Sequence, residues 1–327
     1  MPGPDGQLTR AELAQLAALI TAQAAARDQL TRATVAATQA RLRTFRGWWR
    51  PADIAQLVAQ LLRLVQPAQR RLARQTDAYL ARSTSLILGR RLGPVGAVDI
   101  TGLRRALGPS TLAVLADADP HTGPGASPPL LGRDAERATG DTARAQTSAL
   151  DPGVPYERLA SQYRYQVVNG STEPDASANA AQRAAAVVRT DLSLAHRAQA
   201  QRFFSRRQVR TGFRRVLRPE LGSGGPPCGL CVVAADRVYG YRQLLPLHPG
   251  CRCEVVAVGD TADPGLTLNA DDLKHLYGAA GSNTAEDLRR IRVQITEHGE
   301  LGPVLIDADQ HFRGPSDVAR TLADRAA

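Results

Sequence analysis

PPCGLCVVAADRVYGYRQLLPLHPGCRCEVV, Pro226 to Val256, holds all four cysteines of a 327-residue chain. They fall as Cys228-x-x-Cys231 and, after a spacer, as His248-Pro-Gly-Cys251-Arg-Cys253. A CxxC turn can aim two thiolates at one point, and a second His/Cys group completes a tetrahedral shell when the chain folds back. Residues two apart in an extended segment share a face, so Cys251 and Cys253 can reach the same centre. Cys228, Cys231, His248, Cys251 and Cys253 are thus the candidate metal ligands. Structural zinc is the expected cofactor, with one donor more than four-coordination takes. A closed site would staple a small module that has little core of its own. Two other readings stay open at this point: disulfides, for which four cysteines allow three pairings, and unlinked thiols. A redox CxxC is not expected, because no βαβ pattern surrounds Cys228.

The same stretch, with Pro219 to Gly225 before it, resembles the C-terminal module of MuF-like phage minor head proteins. In that family a CxxC pair precedes an HPxCRC ending by about twenty residues, and the module is regarded as metal-binding; the five donors match position by position. Val188-Arg189-Thr190-Asp191 resembles the ARTE signature that precedes the module, with Asp191 in place of Glu. Glu297 to Leu305, EHGELGPVL, is similar to a segment of head proteins from tailed phages of actinobacteria. The resemblance is specific from Arg189 to Gly314; in the N-terminal half only helical character agrees. It implies a structural role in the virion head, assembled in the host cytoplasm, with portal protein and major capsid or scaffold protein as partners. Double-stranded DNA is a further expected partner.

Composition fits such a role without deciding it. Alanine and leucine dominate the apolar residues, only 4% are aromatic, and the net charge is +10 with Lys274 the only lysine. Small aliphatic side chains at high density suit closely packed helices. The charge predicts salt-sensitive attraction to polyanions or acidic protein surfaces. The first ten residues lack the cationic start and apolar run of a secretory peptide, and no membrane span is expected.

The fold class is α+β: a mainly helical N-terminal region, then a small C-terminal module with a Cys/His knuckle. Thr9 to Arg46 carries Leu13, Leu16, Ile20, Leu30, Val35 and Leu42 near helical spacing. Gly47 to Pro51 stops this helix, Trp48 and Trp49 anchor the break, and Asp53 caps the next. That second helix runs to Arg91, with a kink or break expected at Pro67. Its outer side gathers Arg63, Arg70, Arg71, Arg74, Arg82, Arg90 and Arg91, read as a solvated face or as a strip for DNA or an acidic portal surface. A short helix is expected from Ile100 to Leu115. DADPHTGPGASPPLLG, 117–132, is a linker that ends a region spanning 1–116. Region 133–222 should be helical over 133–150, 156–168 and 176–206. The Cys/His module spans 223–260, with strands at Val232 to Ala235 and Glu254 to Val258. The extension, 261–327, should hold helices at 269–277 and 284–290, a hairpin of Ile291 to Glu297 with Leu301 to Asp307, and a terminal helix.

RFFSRRQVRTGFRRVLR, Arg202 to Arg218, is the most basic segment. Its interleaved phenylalanines and Arg202, Arg206, Arg207, Arg210, Arg214 and Arg215 suit a phosphate-and-stacking surface for nucleic acid or portal. The favoured reading is structural: a strand over Phe213 to Leu217 that buries its aromatics on one side.

No catalytic site is expected. GxSxG, P-loop, HExxH and dinucleotide fingerprints are all missing from the sequence. A capsid maturation protease, or a protease-linked head protein, is the alternative that family custom suggests. A zinc-containing nucleic-acid-binding protein is the second. Against the latter, the arginines are spread over every helix and not gathered in the module.

Overall fold

The computed structural model describes residues 8–106, 148–149, 151–209, 212–217, 235–236, 238–240, 253–259, 262–270, 293–298 and 302–307. Three long helices organise it: α1 (Arg10–Arg43), α2 (Pro51–Leu88) and α4 (Glu173–Arg207), with the shorter α3 (Val154–Val168) packed on α4. Thr9 opens α1 with a capping box: its hydroxyl accepts the Glu12 N–H while the Glu12 carboxylate accepts the Thr9 N–H. Asp53 does not cap α2. That helix starts two residues earlier, with Pro51 at its first position, where a missing N–H costs nothing. Nor does Pro67 break it. Pro67 is exposed, so the carbonyl it leaves without an amide partner lies where water reaches it, and α2 runs on to Gly89 in the left-handed region (φ 60°).

Leu16 and Ile20 of α1, Tyr79 to Ile87 of α2 and Ala200 to Phe204 of α4 share one core cluster, while Val35 and Leu42, Ile54 to Leu72, and Ala176 to Leu192 share another. Hence α1 runs antiparallel to both α2 and α4. The second cluster is closed by α3, whose Tyr163 ring stacks on Trp48 at 4.6 Å. Burial raises the Tyr163 hydroxyl above its ordinary pKa, with Glu173 adding to the effect. Of the two tryptophans only Trp48 anchors the break; Trp49 is 51% exposed. Helices from both sides of 117–132, itself outside the described residues, close one bundle.

At the other end the bundle meets a three-stranded antiparallel sheet ordered β4-β3-β5, built from β3 (Phe213–Val216), β4 (Val238–Tyr239) and β5 (Glu254–Ala257). Every residue of β3 and β5 is buried, which corrects the expectation of a strand with one apolar side. One face meets the helices: the Tyr79 hydroxyl of α2 donates to the Val255 carbonyl at 2.9 Å. The other lies under the short α5 (Pro264–Leu268), where a Cβ on Gly265 would stand 3.0 Å from both Arg214 and Val256. Covering both faces removes the alternation that a half-solvated strand needs.

Several further expectations change. Asn269 ends α5, and the residue after it, Ala270, is helical, with the rest of the helix expected over 269–277 outside the described residues; the Asn269 amide donates to the Arg215 carbonyl while its oxygen accepts the Leu217 N–H. Ala235 is helical and not the end of a strand, and Arg105–Ala106 (β1) pairs with Ser148–Ala149 (β2) where helices were expected. The C-terminal hairpin forms as expected, β6 (Val293–His298) against β7 (Gly302–Asp307). The expected helices at 284–290 and at the C-terminus lie outside the described residues.

Candidate functional site

Where the sheet meets the helices the interface is polar, and the reason is visible in α1. Leu16 and Ile20 are apolar core positions, but the same buried face continues with Gln23, Arg27, Thr34 and Thr38. Arg27 Nη1 lies 3.0 Å from Glu254 Oε1 and donates to the Cys253 carbonyl at 3.3 Å. Glu254, the first residue of β5, is 0% exposed, and its other oxygen lies 3.2 Å from His196 Nε2. His196 Nδ1 is 3.0 Å from the Thr76 hydroxyl of α2, which also accepts the Gln23 amide. The next residue of α4, Arg197, donates from Nη2 to both the Cys253 carbonyl (2.8 Å) and its Sγ (2.9 Å). Arg215 of β3 donates to the same sulfur at 3.5 Å and sets its guanidinium over the Tyr239 ring, 5.1 Å from the centroid. Side chains of three elements, α1, α4 and β3, therefore converge on the Cys253–Glu254 dipeptide, with Thr76 of α2 behind His196. Buried charges persist only when paired and hydrogen-bonded, and breaking such a pair costs far more than it gains.

A second buried pair lies deeper in the bundle. Asp191 does not pair with Arg189, which is exposed; it accepts Arg104 Nε at 2.8 Å and the Tyr156 hydroxyl at 2.6 Å. The acidic position of the VRTD tetrapeptide thus ties α4 to α3 and to the segment after α2. Asp77 and Gln199 pin that segment as well, Asp77 through the N–H groups of Val95 and Gly96, Gln199 through Val98.

A thiol, an imidazole and a carboxylate in one cluster are the residue types of a thiol hydrolase. The geometry argues otherwise. His196 sets Nδ1 at the Thr76 hydroxyl and Nε2 towards Glu254, and the sulfur faces guanidinium donors, so no base is directed at it.

Of the five expected metal donors, Cys253 is described; Cys228, Cys231, His248 and Cys251 lie outside the described residues. Cys253 is a buried thiol and forms no disulfide. Among the described residues no three His, Cys, Asp or Glu side chains gather closely enough to hold a metal ion. The arginines of the basic segment also separate. Arg215 is 0% exposed, and Arg214 is buried and bonded to Asp263 through Nε at 2.8 Å. Neither can present a guanidinium to nucleic acid, which corrects that part of the expected surface. Arg202 donates to the Gly96 carbonyl and Arg207 to Pro94, both half-buried; Arg206 is exposed, and Arg210 lies outside the described residues. In the helices the missed signal was polar residues at core spacing; for Arg214 and Arg215 the sequence carries none, since exposed and buried arginines look alike.

No described helix is long and apolar enough to cross a membrane. Comparison with family models, curated proteins and solved structures returns no match for this chain.

Proposed function

We propose that this chain is a structural minor head protein of a tailed phage or prophage, of the MuF-like kind, in which a helical bundle carries a metal-stapled module. It acts by assembly, docking on portal and on capsid or scaffold protein within the head and facing packaged DNA. The observation that carries the reading is the junction: Cys253 and Glu254, at the end of the cysteine run, are held to the bundle by Arg27, His196 and Arg197 and to β3 by Arg215. A rigid mount for a cysteine module suits a connector between larger bodies, and ring nitrogens of His196 that face Thr76 and Glu254 instead of the sulfur disfavour the hydrolase reading.

The same junction bears on the surplus donor. A buried sulfur that receives Arg197 at 2.9 Å and Arg215 at 3.5 Å inside the core already has its acceptor positions engaged by the protein. Cys253 therefore serves the junction, and Cys228, Cys231, His248 and Cys251 are left as a Cys₃His set, which suits structural zinc. When bound, the metal would supply folding energy to the module and no chemistry.

Elemental analysis of reduced, full-length protein tests the staple. About one zinc per chain is expected, lost in Cys228→Ser, Cys231→Ser and Cys251→Ser and kept in Cys253→Ser. Co-sedimentation of wild type with portal protein from the same genome tests the role. Zinc-loaded protein that ignores both portal and capsid would remove the head-protein reading and leave the staple standing.

A further inference from the structure

The outer side of α2 carries a charge pattern that the packing does not use. Arg63, Arg70, Arg71, Arg74 and Arg82 are all exposed, and none forms an ion pair with a described residue. At 3.6 residues per turn, Arg63, Arg70 and Arg74 fall within about 40° of one another, opposite the buried Leu61 and Leu72. Along the axis they stand roughly 10 Å and 6 Å apart. Arg71 and Arg82 flank this line about 80–100° round the helix. The only acidic residues of α2 are Asp53, beside Arg50 in the first turn, and Asp77, buried against the Val95 and Gly96 amides. Asp99 feels the charge of Arg70, but its carboxylate is taken up by Thr101. Like charges one turn apart, as at Arg70 and Arg74, repel by a few tenths of a kcal/mol in the isolated protein. The strip therefore carries a small cost that the fold does not recover.

We infer that the α2 arginine strip binds the phosphate backbone of duplex DNA without sequence preference. An acidic protein is the other polyanion to weigh, and the composition of the face decides against it. Between the arginines lie Pro67 and Ala78, with Ala59 and Gln56 in the turns before Arg63. Leu64, the exposed large apolar side chain of α2, stands about 100° from Arg63. Protein interfaces need an apolar or aromatic centre. Phosphate binding needs only guanidinium and amide donors along a line, and the duplex offers a charge every ~1.7 Å to meet them. This locates the DNA contact of the head-protein reading. Its test uses only the purified chain and DNA, so its failure leaves the portal experiment to judge that reading separately.

The test compares full-length wild type with Arg63→Gln/Arg70→Gln/Arg74→Gln. Affinity for a mixed-sequence duplex of about 20 base pairs is followed by fluorescence anisotropy from about 50 to 200 mM salt. These exposed sites should leave the fold intact, which circular dichroism checks. Losing three phosphate contacts lowers the salt slope of log K by about 2.7, so wild type should lose roughly 40-fold more affinity than the variant over that range. A control with the same charge change on α1, Arg10→Gln/Arg32→Gln/Arg43→Gln, should keep the wild-type slope. The inference is overturned if wild type does not bind, if the strip variant keeps the wild-type slope, or if the α1 control loses as much. It is also overturned, in favour of an acidic protein partner, if the strip variant keeps DNA and loses only capture of poly-glutamate.

Discussion

Replacing Arg27 by methionine keeps the aliphatic stem of the side chain and removes its charge from the junction between bundle and sheet. At 3.0 Å from Glu254 Oε1 the pair is worth about 5 kcal/mol of direct attraction at an effective dielectric constant near 20. Much of that offsets the desolvation of two buried groups, and removal of one partner from a buried pair costs about 3–5 kcal/mol. His196 still faces the other Glu254 oxygen, which places Arg27→Met near the lower end, about 3 kcal/mol. Glu254→Gln should cost at least as much, because it strands both Arg27 and His196. The double variant leaves no unmatched charge of that pair, so its cost should fall short of the sum by about 2 kcal/mol or more. Urea unfolding of the full chain, followed by far-ultraviolet circular dichroism, reads all three. An Arg27→Met cost under about 1 kcal/mol, or strict additivity in the double variant, would refute the claim that this ion pair holds the junction.

Tyr156→Phe removes the 2.6 Å bond to Asp191 and should lower stability by about 1.5–3 kcal/mol by the same assay, while Tyr165→Phe, at an exposed tyrosine of the same helix, should change little. Gly212→Ala should destabilise by more than about 1 kcal/mol: φ is +95°, and the new Cβ would stand 2.6 Å from the Tyr239 carbonyl, so the β3–β4 pairing must open. Val238 and Tyr239 should then lose hydrogen-exchange protection before the helices do. The Glu12 carboxyl sits below its ordinary value of 4.5, chiefly because the Thr9 backbone N–H and then its hydroxyl bond to the charged form. A depressed folded value means that the cap contributes above the unfolded pKa and fades as pH falls through the folded one. Protection of the first-turn amides of α1 should drop on acidification in wild type and not in Glu12→Gln.

Much of the helical frame was legible because α1, α2 and α4 bury apolar residues at three- and four-residue spacing over 34, 38 and 35 residues. The terminal hairpin was legible from alternation around a glycine turn. What escaped depends on partners remote in the chain. Arg27, Arg197 and Arg215 look in sequence like the exposed Arg63 or Arg74, and only Glu254 and Cys253 arriving from β5 make them buried groups. A hint did exist. The apolar stripe of α1 is thin, and Gln23, Arg27, Thr34 and Thr38 continue it at core positions, the mark of a helix facing a polar interior. Asp53 misled because proline at the first helical position outranked a capping carboxylate two residues on.

The charges at the junction do what apolar packing there could not. Val255, Val256 and Ala257 would bury nearly as well if β5 slid along β3, since small aliphatic side chains are interchangeable to within a methylene or two. Glu254 opposite Val216 is different: a slip of one residue turns its carboxylate to the α5 side, away from Arg27 and His196, and leaves three charged or polar groups unmatched in the core. The register of β5 is thus set by an ion pair, and with it the point at which the cysteine segment leaves the bundle. If four donors upstream close on zinc as proposed, that fixed exit places their C-terminal end before the metal arrives. Less chain then has to be ordered on binding, so the affinity of the staple should depend on Arg27 and Glu254, which never touch it. Zinc retention against a chelator should accordingly weaken in Arg27→Met and recover in part in Arg27→Met/Glu254→Gln; equal retention in all three proteins would show that module and bundle fold independently.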